Sequence, residues 1–196
     1  QYQSFTFLDL TSEMQRIIDQ WKKYDFRFDT FYTGYLGSPQ QIRIVEHFIS
    51  DFRRESDLVV VDPVLGDNGK LYKGFSDEMV VGMRQLIQKA DVITPNMTEL
   101  FLLLGESNTE HVTDGTLKQL LMKLSEMGPE IVIVTSVPVM DQPHMTSVYA
   151  YNRCGGRFWK VTCPYLPAHY PGTGDAFTSV ITGSLMQGDS LPIALD

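Results

Sequence analysis

The sequence has few of the residues that mark several classes of protein. Its 196 residues include only two cysteines, and Cys154 and Cys163 lack metal-ligand spacing. They could pair across neighbouring strands, but in a chain of this size we expect free, partly buried thiols. The 16 lysines and arginines, against 24 acidic residues, form no basic stripe, which argues against nucleic-acid and anionic-membrane partners. No apolar run is long enough to cross a bilayer.

The chain also has no leader pattern, no internal repeat and no low-complexity tract. It opens on Gln1 rather than methionine, and no charged segment precedes an apolar one as in a signal peptide. With 43% hydrophobic residues, it is long enough for one globular domain with a substantial core. We therefore expect a single domain over residues 1–196, a cytoplasmic location, and a piece of a longer protein.

Strands and helices are predicted to alternate. Ser12 and Gln15 have capping-box spacing before one helical pattern, and Ser38, Pro39 and Gln41 mark the start of another. The intervening strands are apolar throughout, which is typical of a mainly parallel sheet covered on both faces. The fold class is therefore α/β. The predicted strands lie in QSFTF, FDTFYTGYLG, DLVVVDPVLGD, DVITPN and EIVIVTS.

Residues 146–163 interrupt this alternation. Two stretches with a period of two flank Gly155 and Gly156, a pattern that predicts a β-hairpin. We place this hairpin as an antiparallel extension at one edge of the sheet.

Polar side chains follow four of the predicted strands. Ligands of open α/β sheets bind beyond the carboxyl ends of the strands. Asp, Asn, Thr, Ser, Pro and Gly are ordinary loop residues, but four such ends at one edge favour a binding site. Hard oxygen ligands suit Mg²⁺ bound together with substrate phosphates. The four ends are residues 33–35, 62–67, 94–96 and 135–136, and Glu99 adds a carboxylate one helical turn after Asn96.

The segment PGTGDAF, residues 171–177, comes directly before a helical pattern. The N–H groups of Gly172, Thr173 and Gly174 can face one point in front of the positive end of the helix dipole. Asp175, in the first turn, suits that dipole. Beside an anion site it is also placed to accept a proton from an alcohol that attacks a γ-phosphate. The pattern favours phosphoryl transfer, and His169 is a candidate to line the same site.

Two other phosphate-binding patterns are excluded. LGDNGKLY lacks the spacing and the Ser or Thr of a Walker A loop, and GTGDAF differs from the dinucleotide pattern G-x-G-x-x-G.

DPVLGDNGKLY, ITPNMTEL, VTS and PGTGDAF, in this order and at these intervals, resemble the ribokinase-like superfamily, and within it the pyridoxal kinase branch. TGYLG and QYQSFTFLDLT resemble that branch too. The resemblance implies a ribokinase-like three-layer α/β/α sandwich. It also implies phosphorylation of the 5′-hydroxymethyl group of pyridoxal, pyridoxine or pyridoxamine, with ATP and Mg²⁺, in a homodimer and often with a monovalent cation such as K⁺ or Na⁺.

The resemblance also implies a role for each matching residue. Asp175 corresponds to the catalytic base, and Gly172, Thr173 and Gly174 to the anion hole. The residues that correspond to metal ligands are Asp67, Thr94 and Glu99. Those that correspond to nucleotide contacts are Asp62, Asn96, Thr135, Ser136 and Thr173. Those that correspond to contacts with the vitamin are Tyr35 and Asp175.

Two alternatives stay open. Hydroxymethylpyrimidine kinases share DPV and TPN but typically have cysteine in place of Asp175, so the aspartate favours the pyridoxal side. A vitamin- or nucleotide-binding protein without chemistry would have no need of this base. Family members also begin with an additional strand and loop and continue beyond LPIALD. We therefore expect the kinase domain in residues 1–196 to be incomplete at both ends, with an uncovered sheet edge.

Overall fold

A computed structural model of the chain describes Thr6 and residues 8–107, 112–168 and 170–196. His169 lies outside the described residues. So does the predicted strand in QSFTF, except for Thr6, which lies in no strand.

Six strands form the main sheet, in the order β1-β2-β5-β6-β7-β8, and β3 and β4 form a separate small hairpin. The pairs β1–β2, β2–β5 and β5–β6 are parallel, whereas β6–β7 and β7–β8 are antiparallel. The predicted parallel sheet with an antiparallel hairpin at one edge is confirmed. In the described part of the chain, β1 at the opposite edge pairs with β2 alone. The strands are β1 (Thr30–Thr33), β2 (Leu58–Val61), β3 (Gly66–Asp67), β4 (Lys70–Leu71), β5 (Val92–Ile93), β6 (Ile131–Pro138), β7 (Met145–Asn152) and β8 (Arg157–Pro164).

Helices cover both faces of the sheet and give the three layers that the resemblance implied. Val59 and Val61 of β2 point into a core shared with α2 to α5, and Val60 between them points into a second core with α6 and α7. Because both faces are buried, the central strands are apolar at every position. The helices are α1 (Thr11–Lys23), α2 (Pro39–Phe52), α3 (Asp77–Leu86), α4 (Met97–Leu104), α5 (Asp114–Glu126), α6 (Thr173–Met186) and α7 (Leu191–Leu195), and a 3₁₀ turn (Ile87–Lys89) follows α3.

The capping box predicted from Ser12 and Gln15 is wrong. Helix α1 begins at Thr11, so Ser12 already lies inside it. The Asp9 carboxylate accepts a hydrogen bond from the Thr11 backbone N–H at 2.8 Å instead. The N–H of the first helical residue is therefore bound by an upstream aspartate, and Ser12 caps no N–H group among the described residues.

The predicted start of α2 is confirmed in part. Ser38 Oγ accepts a hydrogen bond from the Gln41 N–H at 3.2 Å, and Pro39 occupies the first turn. The Gln41 side chain does not close the box on Ser38, because its Oε1 accepts from the Gly37 N–H at 2.7 Å.

Both cysteines are free, as predicted, but both are exposed. Cys154 lies in the turn of the β7–β8 hairpin and Cys163 near the end of the edge strand β8. The prediction of partial burial is wrong because one cysteine lies in a turn and the other on an edge strand, where their side chains are open to solvent. Among the residues described, no helix is long and apolar enough to span a bilayer.

Candidate active site

The four predicted strand ends meet at one edge of the sheet. Because β1, β2, β5 and β6 are parallel, their carboxyl ends share that edge. A cleft of about 610 Å³ opens between these ends and the start of α6. Apart from His169, which lies outside the described residues, it brings together the site residues predicted from the sequence, namely Tyr35, Asp62, Asp67, Thr94, Asn96, Glu99, Thr135, Ser136, Gly172, Thr173, Gly174 and Asp175.

The predicted anion site is the beginning of α6. Gly172 has a φ of 86°, in the left-handed region that favours glycine. Its carbonyl accepts the first helical hydrogen bond, from the Ala176 N–H at 2.9 Å. No side chain among the described residues caps this start, and the first N–H groups of a helix have no partner within it. An uncapped helix start that lines a cleft is suited to bind an anion.

The first turns of α6 lie against the strand ends. Thr178 Oγ1 lies 2.9 Å from Thr94 Oγ1, which joins α6 to the end of β5. A Cβ atom on Gly174 would lie 3.6 Å from Asp62 Oδ2, at the end of β2. The helix start and the carboxylates therefore face the same small volume. Sequence analysis did not single out Thr178, although its position three residues after Asp175 places it on the same helix face.

The Asp175 carboxylate contacts β1. The Tyr32 phenol donates a hydrogen bond to Asp175 Oδ1 at 3.1 Å. Sequence analysis missed Tyr32 and selected Tyr35 on the same segment. No sequence motif marks Tyr32, because its contact with Asp175 forms only when β1 and α6 come together in the fold.

Asn96 and Glu99 support the loop after β2 as well as lining the cleft. They form a capping box at the start of α4, in which Asn96 Oδ1 accepts from the Glu99 N–H at 3.0 Å and Glu99 Oε2 accepts from the Asn96 N–H at 2.8 Å. Glu99 Oε1 also accepts from the Leu65 N–H at 3.1 Å, and Asn96 Nδ2 donates to the Gly66 carbonyl at 2.9 Å. The two residues thus fix the segment that carries Asp67.

Asp67 lies in the small β3–β4 hairpin. Asn68 and Gly69 form its turn, with φ values of 52° and 75°, as two-residue hairpin turns require. Sequence analysis of LGDNGKLY excluded a Walker A loop but overlooked the Asn-Gly pair, which is a strong hairpin signal. The hairpin presents the Asp67 carboxylate at the mouth of the cleft.

Thr135 and Ser136 enter the cleft at an irregularity in β6. The pairing of β6 with β7 shifts register between Val134 and Val137, and Ser136 has a φ of 56°. The Thr135 N–H donates to the Pro95 carbonyl at 3.0 Å, so β6 stays attached to the end of β5. Bulges of this kind redirect side chains at the edges of sites.

The cleft is strongly negative. Four carboxylates line it, from Asp62, Asp67, Glu99 and Asp175, and no lysine or arginine does so within the described ranges. Burial and, to a smaller extent, the charge of Asp175 together raise the pKa of Asp62 to about 6. Burial also raises the pKa of Glu99 to about 8, although hydrogen bonds from backbone N–H groups oppose this. An anionic phosphate would need a cation here in addition to the amides of α6.

The donor set fits Mg²⁺ shared with a nucleotide better than a metal held by protein alone. Within the described ranges, no three His, Cys, Asp or Glu side chains are grouped to hold a metal ion. Mg²⁺ commonly binds through one or two carboxylates together with substrate phosphates and water. Glu99 already accepts backbone hydrogen bonds with both oxygens, so it suits contact through water.

Comparison with known proteins agrees with this geometry. A profile of the family described as phosphomethylpyrimidine kinase matches residues 10–196. A pyridoxal kinase of Deinococcus radiodurans is 32% identical over 173 residues, which are 85% of this chain and 57% of that protein. The chain thus spans little more than half of this curated relative.

Two solved structures are similar over the whole chain. One, from Bacteroides thetaiotaomicron, is assigned to the phosphomethylpyrimidine kinases and was crystallised with pyridoxal. It has 68% identity and a TM-score of 0.96 over 100% of this chain and 68% of its own. The other, a pyridoxal kinase from Lactobacillus plantarum, has 32% identity and a TM-score of 0.88 over the same shares. This chain belongs to the phosphomethylpyrimidine kinase family, as a pyridoxal kinase-like member of the ribokinase-like superfamily.

Proposed function

We propose that the protein phosphorylates the 5′-hydroxymethyl group of pyridoxal, pyridoxine or pyridoxamine, with ATP as donor. One observation carries this proposal: a single cleft contains an uncapped helix start, Asp175 and four oxygen-bearing strand ends. Phosphoryl transfer needs donors for the phosphate charge and a base for the attacking alcohol. The pyridoxal kinase relatives, and the pyridoxal in the Bacteroides structure, support this class of substrate.

Asp175 acts as the general base in this proposal. It accepts the proton of the 5′-hydroxyl group while that oxygen forms a bond to the γ-phosphorus of ATP. The bond from the γ-phosphorus to the bridging oxygen breaks, and ADP leaves with the bonding electrons. The N–H groups at Gly172, Thr173 and Gly174 stabilise the charge on the transferring group.

The strand ends position the nucleotide and its metal ion. Asp62, Asn96, Thr135 and Ser136 contact ATP, together with Thr173. Asp67, Thr94 and Glu99 are the residues that would hold Mg²⁺, in part through water. Bound Mg²⁺ would neutralise phosphate charge, which the negative cleft does not do by itself. A monovalent cation such as K⁺ or Na⁺ completes the proposed set.

Tyr35 is the proposed contact for the vitamin ring. Its side chain is 57% exposed, and its ring stacks on Phe75 with centroids 5.7 Å apart and an interplanar angle of 27°. An aromatic ring held by a second one offers a flat apolar surface to a heteroaromatic substrate.

The wider setting is also part of the proposal. Residues 1–196 belong to one kinase domain, and the full-length protein works as a homodimer in the cytoplasm. The family resemblance supports the dimer.

A coupled assay of ADP release from the full-length protein tests the function. We expect Mg²⁺-dependent release with the B6 vitamers and much slower release with hydroxymethylpyrimidine, which the family's name makes the second candidate substrate. If hydroxymethylpyrimidine were turned over faster than the B6 vitamers, it would be the substrate in their place. Binding of pyridoxal in the presence of ATP, with no ADP formed from any of these compounds, would instead indicate a binding protein.

A further inference from the structure

We propose that Tyr32 is a positioning residue for Asp175, holding one carboxylate oxygen so that the other faces the substrate hydroxyl. This inference rests on the proposed function, in which Asp175 is the base. It adds a residue that none of the sequence motifs contains.

The contact joins distant parts of the chain. Tyr32 belongs to β1 and Asp175 to the first turn of α6. The Tyr32 ring packs against the core between the sheet and α6. From there the phenol oxygen lies 3.1 Å from Asp175 Oδ1. The sheet therefore holds the ring, and the ring holds the carboxylate.

Gly34 keeps the space in which this contact forms. A Cβ atom at Gly34 would lie 2.8 Å from Asp175 Oδ1 and 3.4 Å from the Tyr32 phenol oxygen. The first of these distances is shorter than real carbon–oxygen contacts, so any larger residue would displace the carboxylate. Tyr32 in β1 and Gly34, just beyond the end of that strand, thus both act on Asp175 Oδ1: Tyr32 donates a hydrogen bond to it, and Gly34 leaves room for it.

Tyr32 remains a hydrogen-bond donor at ordinary pH. Burial raises its pKa above the usual value, as do the charges of Asp62, which follows β2, and Asp175 from α6. A hydrogen bond with Ser179, one turn after Asp175, acts in the opposite direction. Because the phenol keeps its proton, it donates to Asp175 and does not compete as a base.

The hydrogen bond from Tyr32 orients the Asp175 carboxylate for the reaction. A carboxylate that accepts a fixed hydrogen bond on Oδ1 has fewer rotamers available, and Oδ2 is left as the proton acceptor. Correct placement of a catalytic group is worth large factors in rate. Tyr32 therefore affects turnover more than substrate binding.

The test is the Tyr32→Phe variant of the full-length protein, which keeps the ring and removes the phenol. We expect kcat to fall about tenfold, because the carboxylate loses its orientation, with KM for pyridoxal and ATP within about twofold of wild type. The matched control is Tyr149→Phe. Tyr149 donates to Asp114 at 2.6 Å on the opposite side of the sheet, and its loss should leave kcat unchanged.

A double-mutant cycle separates this inference from the proposed function. In the Asp175→Asn background, Tyr32→Phe should cause no further loss. A Tyr32→Phe protein with wild-type kcat, alongside a slow Asp175→Asn protein, overturns the inference and leaves the function standing. If the wild type phosphorylates no vitamer, the function fails, and a crystal structure of Tyr32→Phe decides the inference. An Asp175 side chain in its original rotamer would refute positioning, and a reoriented one would support it.

Discussion

At the scale of single residues, Gly34 leaves a gap that two side chains from different elements fill. Its contacts with Asp175 and Tyr32 leave no room for a methyl group. The atom that a methyl group would strike is the end of a short side chain, which can turn away. A substitution at Gly34 should therefore disturb the chemistry before it disturbs the fold.

We predict that Gly34→Ala lowers kcat by about 10- to 100-fold, because a displacement of about 1 Å in a catalytic group can cost that much. The melting temperature should change by less than about 4 °C. Gly37→Ala is the matched control, since a Cβ atom there would meet its nearest neighbour at an ordinary 3.6 Å. Steady-state kinetics measure kcat, and a thermal melt measures the melting temperature. A Gly34→Ala protein with the kcat of wild type would contradict the account.

The residues differ in how far their roles can be predicted from sequence. Asp62, Asn96 and Asp175 could be predicted because each follows or begins a regular element at the ligand-binding edge. Tyr32 could not, because its contact with Asp175 spans 143 positions in the chain. From sequence alone it is one more aromatic residue in a strand.

At the scale of elements, α4 connects the site to the fold. Asn96 caps this helix and also donates to the Gly66 carbonyl, so one side chain orders both the helix and the β3–β4 hairpin. Removing it should cost more than removing an ordinary cap.

We predict that Asn96→Ala lowers the free energy of unfolding by about 2 kcal/mol, of which about 1 kcal/mol is the lost cap and about 1 kcal/mol the lost hydrogen bond to Gly66. Thr113→Ala is the control, because Thr113 caps α5 on the surface and should cost only about 1 kcal/mol. Urea unfolding of both variants measures the difference. Equal losses would show that the contact with Gly66 contributes nothing.

Elements could be predicted where a local signal decides the structure. Ser38 and Pro39 mark the start of α2. The parallel strands could be predicted from their continuous apolar runs, because both faces of the sheet are covered by helices. Ser12 failed as a cap because the helix begins one residue earlier, at Thr11, so the Met14 N–H already donates to the Leu10 carbonyl within the helical pattern. The bulge at residues 135–136 depends on pairing with β7, which no local pattern reveals.

At the scale of the whole molecule, the negative cleft should cost stability. The pKa of Asp62 is about 6 in the folded protein, against an ordinary value of 3.8. Between these values the folded state binds a proton that the unfolded state has lost. The free energy of unfolding therefore falls as the pH rises from about 4 to about 6 and stays lower above that.

We predict that Asp62→Asn removes this cost. Without nucleotide or metal, the variant should be more stable than wild type by about 1–3 kcal/mol at pH 7.5, and the gain should vanish near pH 4. Urea unfolding at the two pH values measures it. If Asp62→Asn were less stable than wild type at pH 7.5, the Asp62 charge would not destabilise the folded protein.

Asp57 provides a control of opposite sign. Its side chain is 1% exposed, and hydrogen bonds from Arg54 lower its pKa. Its contribution is present above the ordinary aspartate pKa and is lost as the pH falls through the lowered value. Asp57→Asn should therefore destabilise the protein at pH 7.5, and by less as the pH falls.

The central claim is that Asp175, beside the amides at the start of α6, is the base for phosphoryl transfer to a B6 vitamer. Its most direct test is the rate of ADP release with pyridoxal by full-length Asp175→Asn. We predict that kcat falls by about 10²- to 10⁴-fold, while pyridoxal binds as tightly as to wild type in the presence of a non-hydrolysable ATP analogue. Near-normal turnover by Asp175→Asn would contradict the account.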